Sequence, residues 1–222
     1  MRICIPIREN NLIRAKKQME KAVIKLRNRK DSLIEIWFDN LVFASKAEIV
    51  NLIKSSRLPV IAVCKAKAEK GSFTGAEQER VDVLKTAVES GAQLVDVGME
   101  TDLSLIRGLK TVCDKQGAKL IISKHFWDSM PDLSRLEAIY NKAASMGADM
   151  AKIAVFVDKL ERNADLFELA KRLNNRQKKF ILIGMGEKGK LSRLGCPLLG
   201  SYLAYVALDE KSKTADGQLT LK

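Results

Sequence analysis

The sequence contains a single histidine, and aromatic residues make up only 5% of its 222 positions. The first scarcity leaves one side chain, His125, able to exchange protons near neutral pH at its ordinary pKa. The second counts against nucleic-acid binding by base stacking, which needs exposed aromatics among the basic residues. Long apolar runs are also missing, and no stretch approaches the roughly 18 residues of a membrane span. The Met1 segment Arg-Ile-Cys-Ile-Pro-Ile-Arg-Glu meets charge too early for a signal peptide. A cytoplasmic protein without membrane contact is the expectation. Cys4, Cys64, Cys113 and Cys196 are scattered without a CxxC pair, so neither a disulfide framework nor a zinc site is signalled, and no metal is expected.

What is present describes an ordinary globular chain, 46% hydrophobic and 30% charged. No linker or shift in composition divides it, so residues 1–222 are read as a single domain. Its 39 basic and 27 acidic residues give a net charge of +12. Many of the lysines fall in helical stretches such as Arg14 to Lys30, where they alternate with apolar positions and form a solvated face. The resulting field favours a small anionic substrate over a nucleic acid.

Eight short apolar runs recur along the chain: Arg2 to Ile7, Leu33 to Phe38, Val60 to Cys64, Leu94 to Val97, Lys119 to Ser123, Met150 to Ala154, Phe180 to Gly184 and Tyr202 to Leu208. Amphipathic helical stretches separate most of them, for example Ala76 to Ser90 ahead of Gly91 and Leu133 to Met146 ahead of Gly147. Near-continuous apolar strands alternating with helices imply a parallel sheet covered on both faces. Eight such units predict an α/β fold of the (β/α)8 TIM-barrel type, whose active site gathers at the C-terminal ends of the strands. Those ends carry Glu35, Trp37, Lys65, Gly98, His125, Lys152 and Met185, with Arg193 and Gln218 beyond. Lys152 is the most informative. Desolvation on a buried strand lowers a lysine pKa, and a neutral amine attacks a ketone to form an imine. A structural role for His125 and for Lys152 is the competing reading of each residue taken alone.

In order along the chain, five segments resemble the type I 3-dehydroquinate dehydratases, the Schiff-base class of the shikimate pathway. They are Ser123-Lys-His125-Phe-Trp-Asp-Ser-Met-Pro131, Gly147-Ala-Asp-Met-Ala-Lys152-Ile-Ala, Met185-Gly-Glu-Lys-Gly189-Lys-Leu-Ser-Arg193, Leu199-Gly-Ser201 and Gly217-Gln218-Leu. The resemblance implies a lyase that dehydrates 3-dehydroquinate to 3-dehydroshikimate without a cofactor, and it suggests a homodimer. It casts Lys152 as the imine-forming residue and His125 as the acid and base. Arg193 would hold the substrate carboxylate, Gln218 and Thr214 would add neutral hydrogen bonds, Glu35 would accept from substrate hydroxyls, and Met185 would pack beside the imine.

The departures from the family are as specific as the matches. Its second-strand pattern Glu-x-Arg-x-Asp is here Glu35-Ile-Trp37-Phe-Asp39, and the arginine after the third strand is Lys65. Trp37 and Lys65 therefore join the expected substrate wall in place of two guanidinium groups. In the run Val95-Asp96-Val97-Gly98, glycine stands where a glutamate is expected to orient the catalytic histidine, and by strand period Asp96 shares its face. Asp216 adds a negative charge near the anion site. The residues leave two other functions open: a diverged Schiff-base lyase or aldolase on another oxo acid, and a non-catalytic barrel that binds an anion.

Overall fold

The computed structural model describes residues 1–29, 31–41 and 45–221. All eight expected apolar runs are strands: β1 (Ile3–Ile7), β2 (Leu33–Trp37), β3 (Val60–Val63), β4 (Leu94–Gly98), β5 (Lys119–Phe126), β6 (Met150–Phe156), β7 (Phe180–Met185) and β8 (Ala204–Ala207). Between them lie α1 (Leu12–Leu26), α2 (Lys46–Lys54), α3 (Glu77–Glu89), α4 (Leu103–Gln116), α5 (Leu133–Ser145), α6 (Asn163–Asn175) and α7 (Lys190–Leu198). Helix α1 starts two residues before the expected Arg14, where the Asn11 side chain caps it by accepting from the Arg14 N–H. It ends at Leu26, and Lys30, the expected end, lies outside the described residues. Helices α3 and α5 stop just before Gly91 and Gly147, as their sequences imply.

Neighbouring strands pair in parallel from β1 through β7, and β8 pairs with the other edge of β1. The result is a (β/α)8 barrel whose strands are buried on both faces, which is why they read as unbroken apolar runs. Two apolar clusters divide the protein. Outward-facing strand residues such as Ile34, Val95 and Leu120 pack on the helices, whereas Leu33, Leu94, Met150, Ile181 and Leu203 fill the barrel interior.

The seam between β7 and β8 is closed by other means than a strand ladder. At the lower end the Tyr202 N–H donates to the Phe180 carbonyl at 2.8 Å, and the Leu182 N–H donates to Ser201 Oγ at 3.1 Å. At the upper end the C-terminal segment folds back. Its short strand β9 (Leu219–Thr220) pairs with β8, and the Gly186 N–H, just past β7, donates to the Asp216 carbonyl. The backbones approach so closely that a side chain at Gly217 would collide with the Gly186 carbonyl. This strand was not foreseen. Two residues carry no periodicity of their own.

Candidate active site

Strand alternation sets the site. Leu33, Leu94 and Met150 on the even-numbered strands, with Leu203 just before β8, point inward, and the next inward positions are Glu35, Asp96, Lys152 and Tyr205. Alternate strands of a barrel contribute one layer of four side chains, ordinarily apolar. Here an apolar layer supports a polar one. Glu35, Asp96 and Lys152 are at most 4% exposed, and Lys152 Nζ lies 2.9 Å from Asp96, 3.0 Å from the Tyr205 hydroxyl and 3.2 Å from Glu35.

That geometry reverses one expectation. Burial alone pulls the Lys152 pKa down, but the carboxylates of Asp96 and Glu35 outweigh it and hold the ammonium above its ordinary value. Without a ligand Lys152 is a charged, fully hydrogen-bonded ammonium. The expected lowering would require a lysine with no carboxylate beside it.

Lys65 is also displaced from its expected place. It lies below the pocket, 1% exposed, with Nζ donating to Asp96 at 2.8 Å, to Ser123 at 2.6 Å and to Glu69 at 3.2 Å. It neutralises Asp96 and is absent from the pocket wall. Burial works against the Asp96 carboxylate, but Lys152 and Lys65 together hold its pKa well below the usual range.

Glu35 has both oxygens engaged by the protein. Oε1 accepts from the Trp37 indole at 2.8 Å, and Oε2 accepts from the Tyr205 hydroxyl and from Lys152. The expected acceptor for substrate hydroxyls is thus a fixed counter-ion of the lysine. Asp39, beyond β2, accepts from the backbone of Lys65 and Ser72 and pins the loop after β3.

His125 follows Ser123 on the inward face of β5. Burial, then the charges of Lys65 and Lys152, hold its pKa well below the ordinary histidine value, so the imidazole is neutral at physiological pH. Its ring stacks on Trp127, with centroids 5.0 Å apart and planes 8° from parallel. Stacking fixes the ring plane but leaves Nδ1 buried without a hydrogen-bond partner. The space over Gly98, where an orienting glutamate was expected to be lost, holds another carboxylate. A side chain built on Gly98 would run into Glu69, which reaches over from the loop after β3. Sequence reading missed Glu69 and Tyr205. The Lys65-x-x-x-Glu69 spacing and the alternation from Leu203 to Tyr205 were the available signals.

Above the lysine, one pocket brings together Glu35, Trp37, His125, Lys152, Met185, Arg193, Thr214 and Gln218. Arg193, on α7, is 5% exposed and donates to the Asp216 carbonyl at 3.1 Å, with Nε unpartnered. What Asp216 offers it is a backbone oxygen, and no carboxylate among the described residues forms an ion pair with it. Burial pulls its pKa down to about 10. A buried guanidinium with free donors is an incomplete anion site. Gln218 Oε1 accepts from the Thr214 N–H at 2.8 Å, which ties the returning tail to the pocket rim. At the mouth Arg8 lies over the Trp37 ring and Lys70 over Trp127, at 4.8 and 4.7 Å from the ring centres.

The family model for type I 3-dehydroquinase matches residues 3–222. The chain belongs to that family. Among its relatives, the 3-dehydroquinate dehydratase of Methanocaldococcus jannaschii is 32% identical over 221 residues, covering 99% of this chain and 94% of that one. That of Dehalococcoides mccartyi is 32% identical over 194 residues, or 87% and 79% of the two chains. In fold, the chain resembles the crystal structure of 3-dehydroquinate dehydratase from Geobacillus kaustophilus, with a TM-score of 0.87 at 23% identity over 98% of this chain and 86% of that one. The type I enzyme from Clostridium difficile, described with covalently modified comenic acid, gives a TM-score of 0.86 at 22% identity over 98% and 87%.

Proposed function

We propose that this family member dehydrates 3-dehydroquinate to 3-dehydroshikimate through an imine on Lys152. The observation that carries the reading is a buried strand lysine in contact with two carboxylates, opening onto a pocket that holds an unpaired arginine. Once the lysine has given up a proton, its amine attacks the substrate ketone. The resulting iminium is an electron sink that acidifies the neighbouring carbon. His125, kept neutral by burial, is in the correct state to take that carbon's proton. The Lys152 nitrogen is then a neutral enamine, and the imidazolium formed lies near the charge of Lys65, which makes it a strong acid toward the departing hydroxyl. Stacking on Trp127 holds the plane of the His125 ring, and the carboxylate charge that acts on it is that of Asp96.

Arg193 would bind the substrate carboxylate with its unused donors, and Gln218, Thr214 and Met185 would complete the wall. Trp37 makes that wall less polar than an arginine would, an observation that favours an oxo acid with fewer hydroxyls as a second reading. On the first reading, residues 1–222 form one cytoplasmic catalytic unit that dimerises with its copy. Size-exclusion chromatography and cell fractionation check those two points.

Incubation with 3-dehydroquinate should produce the ultraviolet absorbance of a conjugated product. No product at high enzyme concentration would overturn the assignment. Substituting His125→Ala is expected to lower kcat by about 10² to 10⁴-fold while borohydride still traps an adduct, since imine formation needs the lysine first. Retention of full kcat would remove His125 from the proton transfers. Arg193→Met should raise KM by roughly 10 to 100-fold, the worth of a charge-assisted pair, with a smaller change in kcat. Steady-state kinetics in the two substrate regimes separates these effects.

A further inference from the structure

The contacts around Lys152 raise a question that the dehydration reading leaves open. Its three N–H bonds point to Asp96 at 2.9 Å, Tyr205 at 3.0 Å and Glu35 at 3.2 Å, so no lone pair is available for attack. One proton has to leave, and two carboxylates stand ready to take it. Their surroundings differ. Asp96 also accepts from Lys65 at 2.8 Å and from Ser123 at 2.6 Å, which puts two cations on one carboxylate and makes it a weak base. Glu35 has one cation, Lys152, and two neutral donors, the Trp37 indole and the Tyr205 hydroxyl. It therefore carries one cation fewer than Asp96. The Tyr205 oxygen stands between donor and acceptor: it accepts from Lys152 and donates to the same Glu35 oxygen that the lysine contacts at the longest of its three distances.

We propose that the Tyr205 hydroxyl is a further catalytic group, passing the ammonium proton of Lys152 to Glu35 before attack and returning it when the imine closes. The proposal rests on the imine chemistry described above. In the first transfer an N–H bond breaks and a bond to the phenol oxygen forms, while the phenol's own proton moves to Glu35. Tyr205 is unchanged, Lys152 becomes an amine and Glu35 a carboxylic acid. The amine lone pair then forms the bond to the ketone carbon, and the carbonyl pair moves onto oxygen. A proton passes from nitrogen to that oxygen to give the neutral carbinolamine. The proton held by Glu35 returns through Tyr205 to the carbinolamine hydroxyl, the C–O bond breaks, and water leaves. The iminium carries the positive charge that began on the ammonium, and Glu35 is again a carboxylate. Burial, reinforced by Glu35, holds the phenol well above its ordinary pKa, so it works by exchanging protons and never as a phenolate.

Rapid mixing with 3-dehydroquinate, quenching with borohydride and counting the reduced adduct by intact mass gives the rate of imine formation. Tyr205→Phe keeps the buried ring and is expected to slow that rate by about 10-fold or more. Substrate affinity, read from thermal stabilisation by the ligand, should change by less than about twofold. Glu35→Gln removes the terminal acceptor and should be slowed at least as much, with the double variant no slower than Glu35→Gln alone. Two unrelated structural defects would add instead. A wild-type rate in Tyr205→Phe, or additive losses in the double variant, overturns the relay. If Tyr205→Phe fails to fold, a wild-type rate in Glu35→Gln does the same. Repeating the series with pyruvate separates the relay from the choice of substrate. An adduct with pyruvate but none with dehydroquinate overturns the substrate and still measures the relay, whereas no adduct with either overturns both.

Discussion

Lys152→Met is expected to lower kcat by roughly 10⁴-fold or more and to abolish the borohydride-trapped adduct altogether. No other amine can take its place. Lys65, the other buried lysine among the described residues, is committed to Asp96, Ser123 and Glu69 below the pocket. The variant should still fold, because Asp96 keeps Lys65 as its counter-charge and Glu35 keeps its two neutral donors. Methionine also preserves the length of the buried stem. Circular dichroism and intact mass after reduction check both halves of the prediction. An adduct that persists, on any residue, would show that the imine forms elsewhere and would remove Lys152 from the chemistry.

Asp96→Ala should produce the largest loss of stability of any single change in the site. Asp96 is fully buried and is the carboxylate shared by two lysines, so its removal leaves Lys65 and Lys152 with Glu69 and Glu35 alone. Breaking a buried ion network in this way costs about 3–5 kcal/mol. For a chain of this size that is roughly 6–20 °C in Tm. The pH dependence follows from the sign of the shift. The folded pKa of Asp96 lies below the ordinary 3.8, so its contribution is fully present above that value and is lost as pH falls through the folded one. The two proteins should therefore differ most at neutral pH and converge in strong acid. Urea midpoints that coincide at pH 7 would refute the assignment of Asp96 as the keystone of the layer.

The barrel was legible because parallel strands covered on both faces write themselves as apolar runs, and each of the eight was found within a few residues. Strand β9 was not, since its pairing depends on where the tail returns rather than on its own two residues. Within the site, local pattern picked out Lys152 and His125 and placed them on strands, whereas Arg193 was named only as lying beyond the strand ends and stands on α7. The protonation state of Lys152 was misread because its neighbours come from β2, β4 and β8, a relation that barrel closure alone creates. Lys65 looked like a wall residue for the same reason, its partner Asp96 lying 31 positions away. Glu69 escaped notice because it belongs to a loop whose course is set by Asp39 holding two backbone N–H groups from the preceding strand end.

The apolar layer of Leu33, Leu94, Met150 and Leu203 has a consequence for the whole reaction cycle. It makes the barrel a vessel with a sealed bottom: none of those four side chains can carry a proton down and out, and the Cys4 thiol beside Leu33 is held far above its ordinary pKa by burial. Every proton used above it has to be recycled among the same few groups or exchanged through the mouth that the substrate itself occupies. A dehydration suits such a vessel, because the proton taken from carbon leaves again on the departing water and the chamber returns to its starting charge.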